Sequence, residues 1–268
     1  MPDVYATISQ ADAAVVEQLA GILELRAADP QQQEMRTAYL SDVDFPPSAR
    51  VAEIGCGTGP VARTLAALPG VGEVVGVDPS PLFVEKAREL ARDLPNLTFV
   101  LGDGREVPLE DDSFDVVVFH TTLCHIPSPD EALAEARRLL RPGGTLAVFD
   151  GDYVTVSVAH SPNDPLQACA DACAENLIHD PWLARKLPVL LRDAGFGDIR
   201  LRGHSYVEAP SSGGYLLAVI DRGADALHSA GRISGDMAAA LKSEARRRSD
   251  EGEFYGHINY LSAVARRS

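Results

Sequence analysis

The chain has 268 residues, of which 46% are hydrophobic and 24% charged, and its formal net charge at pH 7 is -15. This length suits one α/β domain with insertions and allows a sizeable buried core. The acidic balance disfavours nucleic acid or an anionic membrane as a partner, because both require clustered Lys and Arg. The one dense basic run, residues 242–248 (KSEARRR), is interrupted by Glu244 and is interpreted as a solvated helix face.

Cysteine usage and the amino terminus limit the class of protein further. The cysteines Cys56, Cys124, Cys169 and Cys173 are too few and too irregularly spaced for a disulfide framework. No second pair of His or Cys residues follows at zinc-site spacing, so no metal site is predicted. The amino terminus lacks a signal-peptide pattern, and no apolar run approaches the roughly 18 residues of a membrane span. We therefore expect a cytoplasmic protein with no membrane partner.

In the middle of the chain, short β-branched runs alternate with helical patterns, which predicts parallel strands joined by crossover helices. Ser80 and Pro81 suit the N-cap and first position of a helix, and Ser128 with Glu131 predicts a capping box. The predicted strands cover residues 50–54, 73–77, 97–101, 114–119 and 145–150, with helices between them at about 60–68, 81–93 and 129–140.

The flanking segments are less regular. Residues 9–40 predict two helices, and residues 1–45 are interpreted as an N-terminal helical cap. The remaining residues, 46–268, are expected to form one domain with helical insertions at about 155–182 and 211–250. Strands are predicted at 198–208 and 253–265, and the insertion between them is interpreted as a lid or an oligomer contact.

The strongest local motif is residues 51–59 (VAEIGCGTG), where a strand leads into three alternating glycines and then a helix. Glycine allows backbone to approach a ligand closely and to adopt unusual dihedral angles. A dinucleotide-binding fingerprint (G-x-G-x-x-G) would need its third glycine at position 60, where this sequence has proline. Glu53 would repel a pyrophosphate but would favour a sulfonium and an α-amino group. This spacing disfavours a dinucleotide site, although an NAD(P)-dependent oxidoreductase remains the alternative.

With these residues the chain resembles the class I S-adenosylmethionine-dependent methyltransferases over about residues 48–150. The resemblance is closest to the branch that acts in ubiquinone and menaquinone biosynthesis. Three further motifs match in order: residues 76–80 (GVDPS), residues 102–104 (GDG), and residues 112–120 with 140–145. The resemblance implies an α/β fold with a doubly wound, seven-stranded, mostly parallel Rossmann-like sheet. It also implies S-adenosylmethionine as the cofactor. The N-terminal helices and the helical insertion before the last strand are predicted from this sequence itself, since the family usually joins its last two strands by a short hairpin.

The family's functional residues carry over to matching positions. Asp78 would bind the ribose hydroxyls, Asp103 would contact the adenine amine, and the backbone of His120 would meet the cofactor's amino group. Arg26 either reaches the methionyl carboxylate or pairs with Asp29 on a helix surface. The cofactor-binding residues implied in this way are Glu53, Gly55, Cys56, Gly57, Thr58, Gly59, Asp78, Pro79, Gly102, Asp103, Gly104, His120, Thr121 and Arg26.

Methyl transfer from a sulfonium is an in-line displacement, so the enzyme mainly aligns the reactants and excludes water. A general base is needed only when the acceptor must lose a proton early. His125 is the first candidate for a catalytic side chain, followed by His120 and Tyr153, although His125 would equally suit a loop histidine bonded to backbone. An aromatic wall is a further hypothesis, formed by Tyr5, Tyr39, Tyr153, His179 and Trp182.

The sequence therefore predicts an enzyme that methylates C, N or O of a small organic acceptor in secondary metabolism. We expect a monomer or homodimer that binds no nucleic acid. A non-catalytic cofactor-binding protein is the third alternative, beside the oxidoreductase.

Overall fold

A computed structural model describes residues 3–208 and 214–268. Within these residues seven strands form a single sheet in the order β3-β2-β1-β4-β5-β7-β6. The neighbouring pairs from β3 to β5 are parallel, and β7 runs antiparallel to both β5 and β6. The predicted seven-stranded, mostly parallel sheet is confirmed. The strands are β1 (Ala49–Ile54), β2 (Val71–Asp78), β3 (Leu97–Leu101), β4 (Phe114–His120), β5 (Leu140–Ser157), β6 (Phe196–Glu208) and β7 (Gly256–Arg267).

Helices connect these strands and extend the domain at both ends. Short 3-10 turns at Tyr5–Gln10 and Leu123–His125 add to them. The α-helices are α1 (Ala13–Ala28), α2 (Pro30–Leu40), α3 (Pro60–Ala66), α4 (Pro81–Leu90), α5 (Pro129–Leu139), α6 (Pro165–Leu177), α7 (Leu183–Asp193), α8 (Tyr215–Ser229) and α9 (Gly235–Asp250).

Two local predictions differ from the structure. Strand β5 starts at Leu140, not at residue 145, because Leu140 pairs with Phe114 of β4 before a register shift. It also continues to Ser157, since its second half pairs with β7. The capping box at Ser128 is wrong: Ser128 caps α5 by position, but its side chain makes no capping hydrogen bond. The Ser80 cap is confirmed, because its hydroxyl accepts a hydrogen bond from the Phe83 amide.

The central strands form the core because both of their faces are covered by helices. In β4, Val116, Val117, Val118 and Phe119 are all fully buried, which explains the continuous apolar run in the sequence. A second, smaller cluster joins the N-terminal turn and α1 to Phe83 of α4. The N-terminal segment is therefore packed on the sheet domain through apolar contacts.

The strand order reverses between β1 and β4, and this point determines where a ligand can bind. From β1 the chain moves outward through β2 to β3, then returns to place β4 on the other side of β1. In open α/β sheets ligands bind in the crevice at the carboxyl ends of strands at such a point. The loops after Ile54, Asp78 and His120 all open into this crevice.

The segment between β6 and β7 forms α8 and α9, and residues 211–213 of the predicted insertion lie outside the described residues. The basic run at 242–248 lies on α9, where its cations pair with carboxylates: Lys242 with Asp225, and Arg248 with Asp164, each at 2.6 Å. In the part of the chain that the structure covers, no helix is long and apolar enough to cross a membrane.

Candidate functional site

The glycine turn after β1 is held tightly against the next strand. The amides of Gly55 and Cys56 donate hydrogen bonds to the carbonyl of Val77 at 2.7 and 3.0 Å. Gly55 and Gly57 have φ angles of +72° and +55°, which side-chain-bearing residues rarely adopt. A Cβ on Gly55 would lie 2.2 Å from the side chain of Thr122. Both conformation and space therefore require glycine, and the turn presents bare backbone to the crevice.

Asp78 ends β2 beside this turn, with its carboxylate fixed by backbone amides. Gly57 donates to Oδ2 at 2.8 Å and Ser80 to Oδ1 at 2.9 Å. Burial raises the pKa of Asp78 to about 6, although these two amides favour the ionised form. The carboxylate is thus charged at neutral pH, and each oxygen retains a lone pair for another donor.

Glu53 is a buried acid that lines the crevice. Within residues 3–208 and 214–268, its Oε2 makes no hydrogen bond. Burial, supported by the negative charge of Asp78, raises the pKa of Glu53 to about 8. An unpaired buried polar atom is costly, so a cationic donor at this position would be stabilised.

Arg26 of α1 reaches the same crevice and is half-buried, with the ring of Tyr215 nearby. Its Nη2 donates to the hydroxyl of Thr121 at 2.5 Å, and its guanidinium lies 6.0 Å from the ring centre of Tyr215. Burial acts to lower the pKa of Arg26, but the tyrosine oxygens outweigh it and the pKa lies above its usual value. Asp29 caps α2, where its side chain accepts hydrogen bonds from the amides of Gln31 and Gln32. Arg26 is a charged donor at the mouth of the glycine turn.

His120 ends β4 inside an aromatic stack. Its Nδ1 is 3.0 Å from the hydroxyl of Tyr39, and its ring stacks on Phe149 at 4.7 Å. Burial, together with the nearby charges of Arg26 and Arg36, holds the pKa of His120 well below its ordinary value. This ring is therefore neutral and structurally fixed.

His125 forms a buried pair with an acid from the amino terminus. Its Nδ1 lies 2.6 Å from Oδ2 of Asp3, and the side chains are only 12% and 2% exposed. Asp3 also accepts hydrogen bonds from the amides of Tyr5 and His179, both at 2.9 Å. The ring of Tyr5 packs on His125 with centroids 4.7 Å apart. The bond to a carboxylate replaces the bond to backbone that was the alternative interpretation.

Most sequence-predicted site residues meet at this one crevice, while a few lie behind it. Thr58, Gly59 and Gly102 support the walls: Thr58 is bonded to Glu24 at 2.6 Å, and a Cβ on Gly59 or Gly102 would meet Phe99 or Pro108. The predicted residues that line the crevice are Arg26, Glu53, Gly55, Cys56, Gly57, Asp78, Pro79, Asp103, Gly104, His120, Thr121, His125 and Tyr153.

The predicted aromatic wall forms only in part. Tyr5 and Tyr153 line the crevice, whereas Trp182 is 50% exposed and lies under the guanidinium of Arg185. Tyr39 is buried behind His120, and His179 contributes its backbone amide to Asp3. Cys56 lines the turn, but burial raises the pKa of its thiol well above the ordinary value. It is therefore no nucleophile.

Sequence reasoning missed several crevice residues. Arg36 and Arg222 line the crevice, and Asp3 reaches it through its bond to His125. None of the three belongs to a motif, so only the tertiary fold brings them to the site. Glu24 was missed as well: it joins α1 to Thr58 and to Arg63 at 2.7 Å. The only signal for Glu24 in the sequence would be a polar residue on an otherwise apolar face of the predicted helix. Among residues 3–208 and 214–268, no group of three or more His, Cys, Asp or Glu side chains is placed to hold a metal ion.

Comparison with known proteins agrees with this geometry. Residues 52–148, which carry the glycine turn, Asp78, Asp103 and His125, match the family model of a methyltransferase domain. This segment of the chain is therefore similar to methyltransferase domains. It runs from β1 into β5, so the similarity includes the strands that border the crevice.

Two curated proteins extend the similarity. The chain is 32% identical over 186 residues to an uncharacterized 37.1 kDa transposon protein of Streptomyces fradiae, covering 69% of this chain and 54% of that one. It is 32% identical over 129 residues to demethylmenaquinone methyltransferase of Staphylococcus aureus, covering 48% and 54%. The chain thus spans about half the length of these relatives.

The fold is similar to that of a solved Haemonchus contortus phosphoethanolamine N-methyltransferase, in complex with S-adenosylhomocysteine and phosphomonomethylethanolamine. The TM-score is 0.53 at 20% identity, over 86% of this chain and 52% of that one. At this identity the likeness concerns the fold alone.

Proposed function

We propose that this protein transfers the methyl group of S-adenosylmethionine to a small organic acceptor. The observation that carries the proposal is the convergence of Asp78, the orphaned Oε2 of Glu53 and the bare glycine turn on one crevice. A nucleoside with two ribose hydroxyls and a cationic amino-acid portion would complement these groups. When bound, this cofactor supplies an electrophilic methyl carbon attached to a positively charged sulfur.

Specific residues would hold the cofactor. Asp78 has free lone pairs for the ribose hydroxyls, and Glu53 offers an unsatisfied oxygen to a cationic group. Arg26 and the buried Arg36 are cations suited to the methionyl carboxylate. Asp103 is 45% exposed at the side chain and paired with Arg105 at 2.7 Å, so adenine would be contacted near the surface.

The acceptor side would work mainly by alignment and exclusion of water. Tyr5, Tyr153 and Tyr215 border the crevice, so a bound acceptor would lie among aromatic side chains. The Asp3 carboxylate would keep the proton of His125 on Nδ1 and leave Nε2 to accept a proton from the acceptor. Tyr153 and His120 would shape the cavity, since burial keeps the Tyr153 pKa well above its ordinary value.

The finer features of the proposal follow from charge and topology. We propose a small acceptor of secondary metabolism, not a nucleic acid, because the net charge of -15 opposes polyanions. Cytoplasmic location and a monomeric or homodimeric state belong to the same proposal. We also propose that the N-terminal cap, residues 1–45, and the 211–250 insertion cover the acceptor. Arg26 from the cap and Tyr215 from the insertion support this role.

Calorimetry with S-adenosylhomocysteine tests the proposal. The wild-type protein is expected to bind it with micromolar affinity, and Asp78→Ala is expected to abolish binding. Asp225→Ala, which removes an exposed partner of Lys242, is the matched control and should bind normally. Unchanged binding by Asp78→Ala would remove Asp78 from the site.

Ligand-binding and turnover assays also distinguish the two alternatives, an oxidoreductase and a non-catalytic cofactor-binding protein. A thermal-shift panel with NAD, NADP and the nucleoside would favour the oxidoreductase if only the dinucleotides stabilise the fold. Binding of the nucleoside without turnover across a broad acceptor panel would favour a non-catalytic cofactor-binding protein.

A further inference from the structure

Arg222 is a half-buried cation in the crevice wall. It lies on α8, outside the matched methyltransferase domain, and lines the same crevice as Asp78 and His125. In the stretches 3–208 and 214–268, no hydrogen bond or ion pair engages its guanidinium. Its charge nonetheless acts on crevice groups, since it opposes the rise in pKa that burial causes at Tyr5 and Cys173.

The neighbouring charges of α8 and α9 are paired, which makes Arg222 an exception. Asp221, the preceding residue, pairs with Arg246 at 2.5 Å, and Asp225 pairs with Lys242 at 2.6 Å. None of these four side chains lines the crevice. The acid that accepts from the Tyr5 amide is Asp3, and both of its oxygens already accept hydrogen bonds.

Among the residues that the structure describes, the carboxylates that line the crevice form no ion pair with Arg222. Glu53, Asp78 and Asp103 line the crevice, but they lie at the ends of β1, β2 and β3, where the proposed cofactor needs them. Around Arg222 the crevice is lined by small or apolar side chains, including Cys173, Ala218 and Val219. A partly desolvated guanidinium without a counter-ion is unfavourable, and a bidentate oxyanion would satisfy it.

We propose that Arg222 is the acceptor-binding residue for a carboxylate or similar oxyanion, so that the acceptor is an acidic molecule with an apolar body. This inference rests on the proposed function, because it places the acceptor in the space that the cofactor leaves. It assigns to the 211–250 insertion a direct part in choosing the acceptor. Arg26 and Arg36, in contrast, lie toward the proposed cofactor and are occupied when it is bound.

Benzoate and benzamide are suitable probes, because they share a ring and differ in the charged group. Binding of each is measured by NMR titration on the full chain saturated with S-adenosylhomocysteine. The wild-type protein is expected to bind benzoate at least about tenfold more tightly than benzamide, equivalent to about 1.4 kcal/mol. Arg222→Gln is expected to abolish this preference, and Arg222→Lys to keep part of it, since the lysine retains charge without the bidentate fork.

The control is Arg232→Gln, which changes an exposed arginine beyond the end of α8 and should retain the preference. Equal binding of the two probes by the wild type, or an unchanged preference in Arg222→Gln, would overturn the inference. Saturation with S-adenosylhomocysteine is measured first in every variant. If it binds and no preference is seen, only the role of Arg222 fails; if the wild type does not bind it, the proposed function fails as well.

Discussion

The carboxylate of Asp3 and Nδ1 of His125 lie 2.6 Å apart, although 122 positions of the chain separate them. Where the Asp3 carboxylate accepts this hydrogen bond, Nδ1 of the ring carries the proton. Among the residues that the structure describes, Nε2 of His125 has no hydrogen-bond partner and is left for the crevice. The pair thus combines an orienting acid with a ring nitrogen that can take a proton.

Asp3→Asn is expected to lower kcat by about 100-fold with little change in KM, within the range that general-base catalysis supplies. The amide can turn its NH₂ group toward Nδ1 and favour the wrong tautomer. The 15N chemical shifts of the imidazole of His125 measure this directly. A normal kcat together with an unchanged tautomer would contradict the prediction, and Asp225→Asn serves as the control for a change in surface charge.

Glu53→Gln is expected to alter how stability depends on pH. In the wild type, burial and the charge of Asp78 raise the Glu53 pKa to about 8, from about 4.3 when unfolded. The contribution of Glu53 to the free energy of unfolding is therefore fully present below about pH 4.3 and is lost as the pH rises toward 8. Glu53→Gln has no such titrating group. Its free energy of unfolding relative to that of the wild type should therefore increase between about pH 4.3 and 8, by about 1.4 kcal/mol for each unit of the pKa shift.

Urea unfolding of ligand-free protein at pH 5, 6.5 and 8 measures this difference. Parallel curves for the variant and the wild type would show that Glu53 is not titrating in the folded state. The same variant should bind S-adenosylhomocysteine more weakly, because the amide cannot neutralise a cationic group.

The affinity for S-adenosylhomocysteine is expected to decrease when pH falls below about 6. The pKa of Asp78 in the free protein is about 6, and protonation removes the charged acceptor that the ribose hydroxyls would use. Below this value the affinity should approach a decrease of about tenfold per pH unit. Calorimetry between pH 4.5 and 7 measures it. Asp78→Asn should bind S-adenosylhomocysteine weakly at every pH. If its affinity fell with pH as steeply as that of the wild type, a group other than Asp78 would be responsible for the pH dependence.

Two helical glycines provide a matched test of packing. A Cβ on Gly223 of α8 would lie 1.8 Å from the carbonyl oxygen of Cys169 in α6, whereas a Cβ on Gly21 of α1 meets nothing within 4 Å. Gly223→Ala should lower the free energy of unfolding by more than about 2 kcal/mol, since backbone must move. Gly21→Ala should raise it by up to about 1 kcal/mol through helix propensity. Urea unfolding measures the free energy of unfolding of both variants. Equal changes in the two variants would mean that α8 does not pack closely on α6.

The sequence predicted the strands and the glycine turn well because local pattern determines both. Caps, β-branched runs and the positions of Gly55 and Asp78 act over a few residues, so they are visible without the fold. It predicted the extent of β5 less well, because Leu140 extends the strand only by pairing with Phe114. Asp3 and Arg222 could not be predicted, since each acquires its surroundings only from tertiary packing.

Glu24 ties the glycine turn to a helix that precedes it in the chain. One oxygen accepts from Thr58 and the other from Arg63, and Arg63 also donates to the carbonyl of Thr58 at 2.8 Å. Replacing α1 alone in a chimera would remove Glu24 and leave the guanidinium of Arg63 without its carboxylate partner, beside the glycine turn. Chimeras between relatives should therefore exchange α1 and α3 together, so that Glu24 and Arg63 come from the same parent.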